Sequence, residues 1–526
     1  MNSKNYSSKD YSSENSPSLN KASKKVITID QGTTGSTVLI IDFEDKREPK
    51  ILGRSTFDFP QHYPRTGWVE HDLEEIWTSL SKAFLGALSQ ANLTLEASHF
   101  ASIGITNQRE TLCVFEKGTG RPLCKAIVWQ CKRSLRLCDE LKARGLEPLF
   151  REKTGLFLDP YFTGTKLSWL LRENQEVADA LKDGSALVGT IDCWLLYKLT
   201  GCRVHATEAS NASRTLMFNI KTGKWDEELL KILEVPQHIL PQVFDSAHSF
   251  GETYLNGLLP DGIPISGILG DQQAALVGQT CFSQGEAKCT YGTGAFALTN
   301  MGSIPKASKF GLLTTVAWSL HGQMTYALEG SAFIAGAAVQ FIRDQLHFID
   351  DSSQTSKIPA STKASPEVYF VPSLAGLGAP WWDPKAQGAL FGLTRGTSKD
   401  QIIRATLEGI AFQVADLMTA MASDLDSNII TIKVDGGASS NNVLMKFQAD
   451  ILGITIDRPQ NIETTAFGAA MFAALGVGIY KNLEDMKTAW KRDALFESTM
   501  NADERKAHQK GWKRAVKAVQ CFADAD

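Results

Sequence analysis

Between two apolar, β-branched runs, Val26–Ile29 and Val38–Ile41, the chain places Asp30, Gln31, Gly32, Thr33, Thr34, Gly35 and Ser36. Such runs, split by glycine and hydroxyl residues, predict a β-hairpin. Glycines let backbone N–H groups close around an anion, and the hydroxyls add donors. Asp30, ending the first run, stands where a carboxylate can hold a hydrated Mg²⁺ beside phosphate. An ordinary tight hairpin with a solvated Asp accounts for this loop equally well.

Three further stretches carry groups of the same kind. Lys288–Thr299, KCTYGTGAFALT, repeats strand, glycine–hydroxyl turn and strand in the other half of the chain. Ile429–Ala438, IITIKVDGGA, predicts a strand ending in Asp435, Gly436 and Gly437, with Ser439–Asn442 capping a helix over Val443–Leu452. A glycine pair at a strand-to-helix turn admits a flat or charged ligand to the backbone. The run Asp261–Gly270 leads into Asp271, Gln272 and Gln273 at a helix start. Asp271 reads as a helix cap or as a base aimed into a cleft, and the helix dipole keeps it ionised. Neither a G-x-x-x-x-G-K-[ST] loop nor a protein-kinase catalytic loop occurs.

Buried strands position the polar groups. Phe100–Thr106 predicts a strand running into Asn107, Gln108, Arg109 and Glu110, at the carboxyl edge where α/β enzymes place ligands. Arg109 and Glu110 read as a surface ion pair or as a donor and acceptor for a polyhydroxylated ligand. Ala126–Gln130 predicts a second short strand, with Trp129 as core or as the apolar wall of a small pocket. Gly67–Asp72 reads as a loop, and Leu73–Ala91, Lys132–Arg144 and the later part of Tyr161–Glu173 as helices. The α/β alternation continues through Ala186–Leu199 and Val204–Phe218. Two hairpin loops in opposite halves and a late Gly-Gly turn predict two related α/β domains closing on a nucleotide.

Composition sets the outer limits. A chain of 526 residues with 43% hydrophobic content supports two or three domains with full cores. Lys and Arg number 54 and Asp and Glu 58, a net charge of −4, which disfavours nucleic acid as a main ligand. Nine cysteines without a C-x-x-C pair point to reduced thiols and a cytoplasmic location, with neither a disulfide framework nor a zinc site. No apolar run reaches the ~18–20 residues that a membrane helix needs. Residues 1–25, rich in Ser, Asn and Lys, read as a disordered tail without the features of a secretory leader.

Assembled, these residues resemble the FGGY family of carbohydrate kinases, and within it the members that phosphorylate glycerol. The resemblance runs from about Val26 to Gln520. It is carried by DQGTTGS (30–36), GWVEHD (67–72), ITNQRET (105–111), AIVWQC (126–131), DPYFTGTKLSWLL (159–171), NASRTLMFNI (211–220), GDQQAALVGQ (270–279), TYGTG (290–294), YALEG (326–330), GLGAPWWDP (376–384), GALFGLTRG (388–396), IIRATLEGIAFQ (402–413) and VDGGASSNN (434–442).

The resemblance implies two actin/Hsp70-like (ribonuclease H-like) ATPase domains of α/β class, spanning 26–278 and 279–526, with the active site in the cleft between them. It also implies transfer of the γ-phosphoryl of ATP, with Mg²⁺, to glycerol. By the same resemblance Arg109, Glu110, Tyr161, Asp271 and Gln272 bind glycerol, while Trp129 and Phe296 pack on its carbons and Thr33 lies alongside. Thr33, Thr34, Gly35, Thr293, Gly336, Gln340, Gly437 and Asn441 match nucleotide-contacting positions. Asp271 matches the catalytic base and Asp30 the acid near Mg²⁺. A homodimer or homotetramer is implied, with no integral membrane segment.

The chain departs from the family in two places. Thr37 stands at a nucleotide-side position where an Arg is usual, and 256–262 (NGLLPDG) lacks the basic loop that binds fructose 1,6-bisphosphate in other members. A kinase of another polyol or ketose, and a non-catalytic ATP-binding switch, remain as alternatives.

Overall fold

The computed structural model describes residues 23–255, 259–359, 362, 367–425 and 428–523. Almost all of the expected tail, and residues 256–258 of the departing loop, lie outside these.

Two sheets organise the chain. The first contains β1 (Lys25–Gln31), β2 (Gly35–Asp42), β3 (Lys50–Asp58), β4 (Ser102–Asn107) and β5 (Ile265–Gly270), in the order β5-β4-β1-β2-β3. The second contains β6 (Ala287–Tyr291), β7 (Ala295–Gly302), β8 (Leu313–Leu320), β9 (Gln323–Ala332), β10 (Thr431–Asp435), β11 (Thr455–Pro459) and β12 (Arg492–Phe496). Its order is β8-β9-β7-β6-β10-β11-β12.

One pattern recurs in both sheets. A central strand, β1 or β6, has an antiparallel hairpin partner on one side, β2 or β7, and two successive parallel strands on the other. The second sheet adds β8 and β12 at its edges. The hairpins expected over 26–42 and 288–299 are the hearts of the two sheets.

Helices α1 (Leu73–Ala91), α2 (Thr163–Glu173), α3 (Asp271–Gly278), α4 (Gly336–Asp344), α5 (Lys399–Leu425), α6 (Asn442–Leu452) and α7 (Thr464–Gly476) complete the frame. α1 has the bounds its spacing predicts, because Asp72 caps it and Asn92 ends it in the left-handed conformation. α7, TTAFGAAMFAALG, is apolar all round and is buried, as such a helix must be.

Although α7 follows the second sheet in the chain, it packs on α3 and on β1, β4 and β5 of the first. Its approach to α3 is nearly backbone to backbone: a Cβ at Gly468 would stand 1.8 Å from the carbonyl oxygen of Ala274, and one at Gly278 2.0 Å from that of Thr464. Only glycine admits that spacing. The far end of α3 is tied to the second sheet as well. Gln279 Nε2 donates to Asp435 Oδ2 at 2.8 Å, and Thr464 Oγ1 donates to the same oxygen at 2.6 Å.

The strand expected over Ala126–Gln130 is only two residues long, Ala126–Ile127, paired with Glu70–His71. The ladder stops because its partner is equally short, and the Trp129 N–H turns to Thr111 Oγ1 at 3.3 Å.

Candidate active site

β1, β4 and β5 run parallel, with Gln31 beside Asn107 and Asn107 beside Gly270. Their carboxyl ends therefore form one row. It carries Asp30 and the first hairpin loop, then Arg109 and Glu110, then Asp271. This is where an open α/β sheet offers a crevice.

The first hairpin loop is closed by the Gly32 N–H donating to Gly35 O at 2.9 Å. Neutral polar groups brace it from behind. Gln108 Nε2 donates to Gln31 Oε1 at 3.1 Å and to Gly32 O at 3.1 Å, and Gln61 Nε2 donates to Thr33 O at 3.0 Å. His71 joins this brace through Gln61 at 2.6 Å, and burial pushes its imidazole down to about 4, so it is neutral at pH 7. On the open side the Trp129 indole N–H donates to Thr33 Oγ1 at 3.0 Å, and its ring meets Tyr161 edge-on at 5.5 Å.

Arg109 and Glu110 are not a surface pair. Both are buried in an ionic lattice that crosses between the sheets. Arg109 grips Glu329 of β9 with two bonds, Nη1–Oε2 at 2.6 Å and Nη2–Oε1 at 2.9 Å. Arg214 donates from Nε to Glu110 Oε1 at 2.6 Å and from Nη2 to Glu329 Oε1 at 3.0 Å. Arg109 Nε lies 3.1 Å from Asp271 Oδ1 and 3.7 Å from Glu110 Oε1.

Burial alone would push the Glu329 carboxyl up, but the guanidinium groups of Arg109 and Arg214 outweigh it and bring the group down to about 2. Glu110 and Asp271 have weaker claims on those cations, and burial leaves both above the usual carboxylate range.

Asp271 is the first residue of α3, with Gly270 at the cap position. Its Oδ1 accepts the Gln272 N–H at 2.6 Å and faces Arg109, while its side chain stays 31% exposed. The carboxylate is thus fixed through one oxygen and open at the other. The neighbouring Gln272 accepts from Lys288 Nζ at 2.5 Å, and Lys288 also donates to Thr290 Oγ1 at 3.0 Å. Thr290 pairs with Phe296 across β6 and β7, which puts Phe296 on that same face.

The second hairpin loop closes like the first, the Gly292 N–H donating to Gly294 O at 2.9 Å. The start of α4 backs it: Gly336 N–H donates to Gly292 O at 2.9 Å, and a Cβ at Gly336 would come within 2.7 Å of that oxygen. Beside it opens a cavity of about 550 Å³, lined among others by Thr293, Gly336, Gln340, Gly437, Asn441 and Thr355. Gly437 is exposed at its edge. The position that requires glycine is Gly436, with φ +81° and no room for a Cβ against Tyr291 O at 2.6 Å. The Asn441 side chain is fully engaged, capping α6 through Oδ1 and donating to Thr355 Oγ1 at 2.8 Å.

Asp30 is partly buried, and its side chain makes no hydrogen bond or ion pair with the described residues. Burial, with repulsion from Asp271 and Glu463, pushes its carboxyl up to about 7. Thr37 sits opposite Asp30 on β2, its hydroxyl 2.9 Å from that of Thr56. A cation acting on Asp30 is instead Arg54, which pairs with Glu463 at 2.8 Å.

The structure therefore sets Asp30, Thr33, Arg109, Glu110 and Asp271 along one row of strand ends, with Trp129 touching Thr33 and Tyr161 and with Gln272 following Asp271, and it sets Thr293, Gly336, Gln340, Gly437 and Asn441 around the second loop's cavity. Arg214, Glu329 and Lys288 are the charged members that the sequence reading did not assign. Glu329 had a signal: an acid in the middle of the apolar strand run YALEG must find a buried partner.

The model for the N-terminal domain of the FGGY family of carbohydrate kinases matches residues 25–278, and that for its C-terminal domain matches 287–477. The chain belongs to the FGGY family of carbohydrate kinases. Relatives in this family include the glycerol kinase of Oceanobacillus iheyensis, 48% identical over 499 residues covering 95% of this chain and 99% of that protein. The glycerol kinase of Desulforamulus reducens is 49% identical over 495 residues, 94% of this chain and 98% of its own. Among solved structures, Plasmodium falciparum glycerol kinase with ADP superposes with a TM-score of 0.86 at 35% identity, covering 94% of this chain and 98% of that one. A ligand-bound xylulose kinase from Lactobacillus acidophilus shares the fold, with a TM-score of 0.82 at 22% identity.

Proposed function

We propose that this FGGY kinase phosphorylates glycerol with ATP to give sn-glycerol 3-phosphate. The observation that carries the reading is Asp271, held by one oxygen at the head of α3 beside Arg109, with its other oxygen in no hydrogen bond or ion pair among the described residues and its side chain part-exposed. A triol needs paired donors and acceptors plus an apolar edge. Arg109, Glu110, Tyr161 and Gln272 offer the first, and Trp129 and Phe296 the second. A site built this way rejects analogues that leave its buried polar groups unpaired.

In this reading Asp271 is the general base. Phosphoryl transfer passes through a loose transition state, so orientation of the hydroxyl matters more than base strength. Asp271 accepts the hydroxyl proton late, and Arg109 holds the carboxylate in line. The two hairpins supply backbone and hydroxyl donors for the phosphates, from Thr33, Thr34 and Gly35 on one side and Thr293 on the other. Gln340, Gly437 and Asn441 border the cavity assigned to the nucleoside, and Gly336 keeps α4 close behind the second loop. Thr37 shapes the strand face beside Asp30.

Asp30 fits a hydrated Mg²⁺, since its carboxylate has no partner among the described residues. When bound, Mg²⁺ supplies neutralisation of the phosphate charge.

Nine free cysteines fit a reducing, cytoplasmic setting, and no helix among the described residues is long and apolar enough to cross a membrane. The domain limits 26–278 and 279–526, and assembly as a homodimer or homotetramer, complete the proposal; ultracentrifugation measures the last. The deciding assay follows ADP release with glycerol, dihydroxyacetone, erythritol, xylulose and ribulose. Strict dependence on glycerol supports the reading. ADP release without any polyol, or preference for a ketose, overturns it.

A further inference from the structure

We propose that Glu329 and Arg214 are positioning residues for polyol recognition, holding Arg109 and Glu110 in the one arrangement that presents them to a substrate. The inference rests on the functional reading above and extends it to two residues that touch the recognition pair from behind.

The geometry is that of a closed relay. Glu329 takes both terminal nitrogens of Arg109, so the guanidinium plane is fixed and only its Nε edge is turned to Asp271 and Glu110. A guanidinium held by two parallel bonds has a defined orientation, which a single contact does not give. Arg214 spans the remaining gap, one end on Glu110 and the other on Glu329. Its guanidinium also lies 5.7 Å from the Tyr161 ring centre and 5.3 Å from that of Phe162, so the aromatic side of the pocket is registered to the same cation.

Arg214 is itself located by its surroundings. It follows the short helix Ala209–Ala212, capped by Glu208. Asn211 in that helix exchanges two amide bonds with Asn107 of β4, each 3.1 Å. Asn107, two positions before Arg109, and Asn211, three positions before Arg214, are therefore pinned to each other. Glu329 comes from the middle of β9 in the other sheet, so the relay also fixes where the second domain meets the recognition pair.

Charge explains why none of the four is dispensable. Arg109, Arg214, Glu110 and Glu329 are all at most 3% exposed. Removing one partner leaves an uncompensated buried charge, and the survivors reorganise around it. Among the described side chains, Arg214 Nη1 is the one buried guanidinium nitrogen without a hydrogen-bond partner, so Arg214 is held here by its carboxylates and not by a surplus of other bonds.

Glu329→Gln, Arg214→Lys and the charge-balanced double variant Arg214→Met with Glu329→Gln test this, with steady-state kinetics on glycerol, propane-1,2-diol and ATP. For each variant kcat/KM for glycerol is expected to fall at least about tenfold and its preference over propane-1,2-diol to narrow by a similar factor, because the hydroxyl-reading pair is no longer fixed. KM for ATP is expected to stay within about threefold of wild type, since the nucleotide cavity is untouched. A purely structural role would move both substrates together. Should either single variant fail to fold, the double variant, which removes one charge of each sign, decides by the same readings. Unchanged glycerol discrimination, or equal losses for glycerol and ATP, overturns the positioning role. A wild-type enzyme that does not turn over glycerol overturns the functional reading instead, and this is seen before any variant is compared.

Discussion

Replacing Asp271 by Asn isolates its chemistry from its placement. In the wild type Oδ1 accepts the Gln272 N–H at 2.6 Å and faces Arg109 Nε at 3.1 Å. The amide oxygen of Asn takes over both contacts, and Arg109 does not swing away because Glu329 holds it twice. Only the outward oxygen changes, from an acceptor of the substrate proton to an N–H₂ donor. Pocket shape and the lattice stay as they were, so KM for glycerol should remain within about fivefold, the value of one neutral hydrogen bond of ~1 kcal/mol. Turnover loses general-base assistance, typically worth about 10²–10⁴ in rate. That corresponds to ~2.7–5.4 kcal/mol on the barrier. A coupled ADP-release assay at saturating ATP, with glycerol titrated, reads both constants, and a thermal melt checks the fold. If kcat stays within tenfold of wild type, Asp271 is not the base. If kcat, glycerol KM and melting temperature all deteriorate together, the residue is structural and the argument from its one-sided fixation fails.

Trp129→Phe deletes the indole N–H bond to Thr33 Oγ1 while keeping an aromatic wall, and glycerol KM should rise several-fold for the ~1 kcal/mol lost; no change in KM would mean the wall alone matters. Gly468→Ala places a methyl 1.8 Å from Ala274 O, where backbone cannot yield easily, and overpacking of roughly 1–3 kcal/mol or more should lower the denaturation midpoint. A variant as stable as wild type would show that the two helices are not in backbone contact. Asp416 receives the indole N–H groups of Trp381 at 3.0 Å and Trp512 at 2.8 Å, yet burial still pushes its carboxyl up to about 6. With an unfolded value near ~3.9, the native state holds a proton that the unfolded chain has released, so this group lowers stability as pH rises from about 4 to 6. Asp416→Asn should flatten that part of the profile, and denaturant midpoints at pH 4.5 and 7 that differ as in wild type would refute it.

Much of this site was legible because its parts sit where strands end. Asp30, Arg109, Glu110 and Asp271 each follow an apolar run, and the two glycine–hydroxyl hairpins announce themselves by composition. The duplicated sheet was legible for the same reason, each half opening on the same device. Arg214 and Glu329 lie within matching strings, yet their roles were not legible. Their ion pairs join residues 104, 115 and 220 positions apart, and a buried charge takes its meaning from partners that only the fold supplies. Trp129 was expected at a strand end and stands beyond a two-residue ladder, since strand length depends on a partner no local pattern reveals. The docking of α7 on the first sheet was equally hidden. A run of alanine and glycine says that a helix is buried, not against what.

Helix α3 carries the acid assigned to the acceptor alcohol at its first residue, and just past its last residue Gln279 meets Asp435, next to the glycine turn of the nucleotide half. Eight residues of α-helix measure ~12 Å. That rod acts as a built-in gauge between the alcohol end and the phosphate-donor end of the reaction. Locked against α7 by glycine at both contact points, it has no slack along its axis. Any closing movement must then pivot around this gauge and leave its length alone, so a lengthened or shortened α3 would misalign the reacting partners even with every contacting side chain intact.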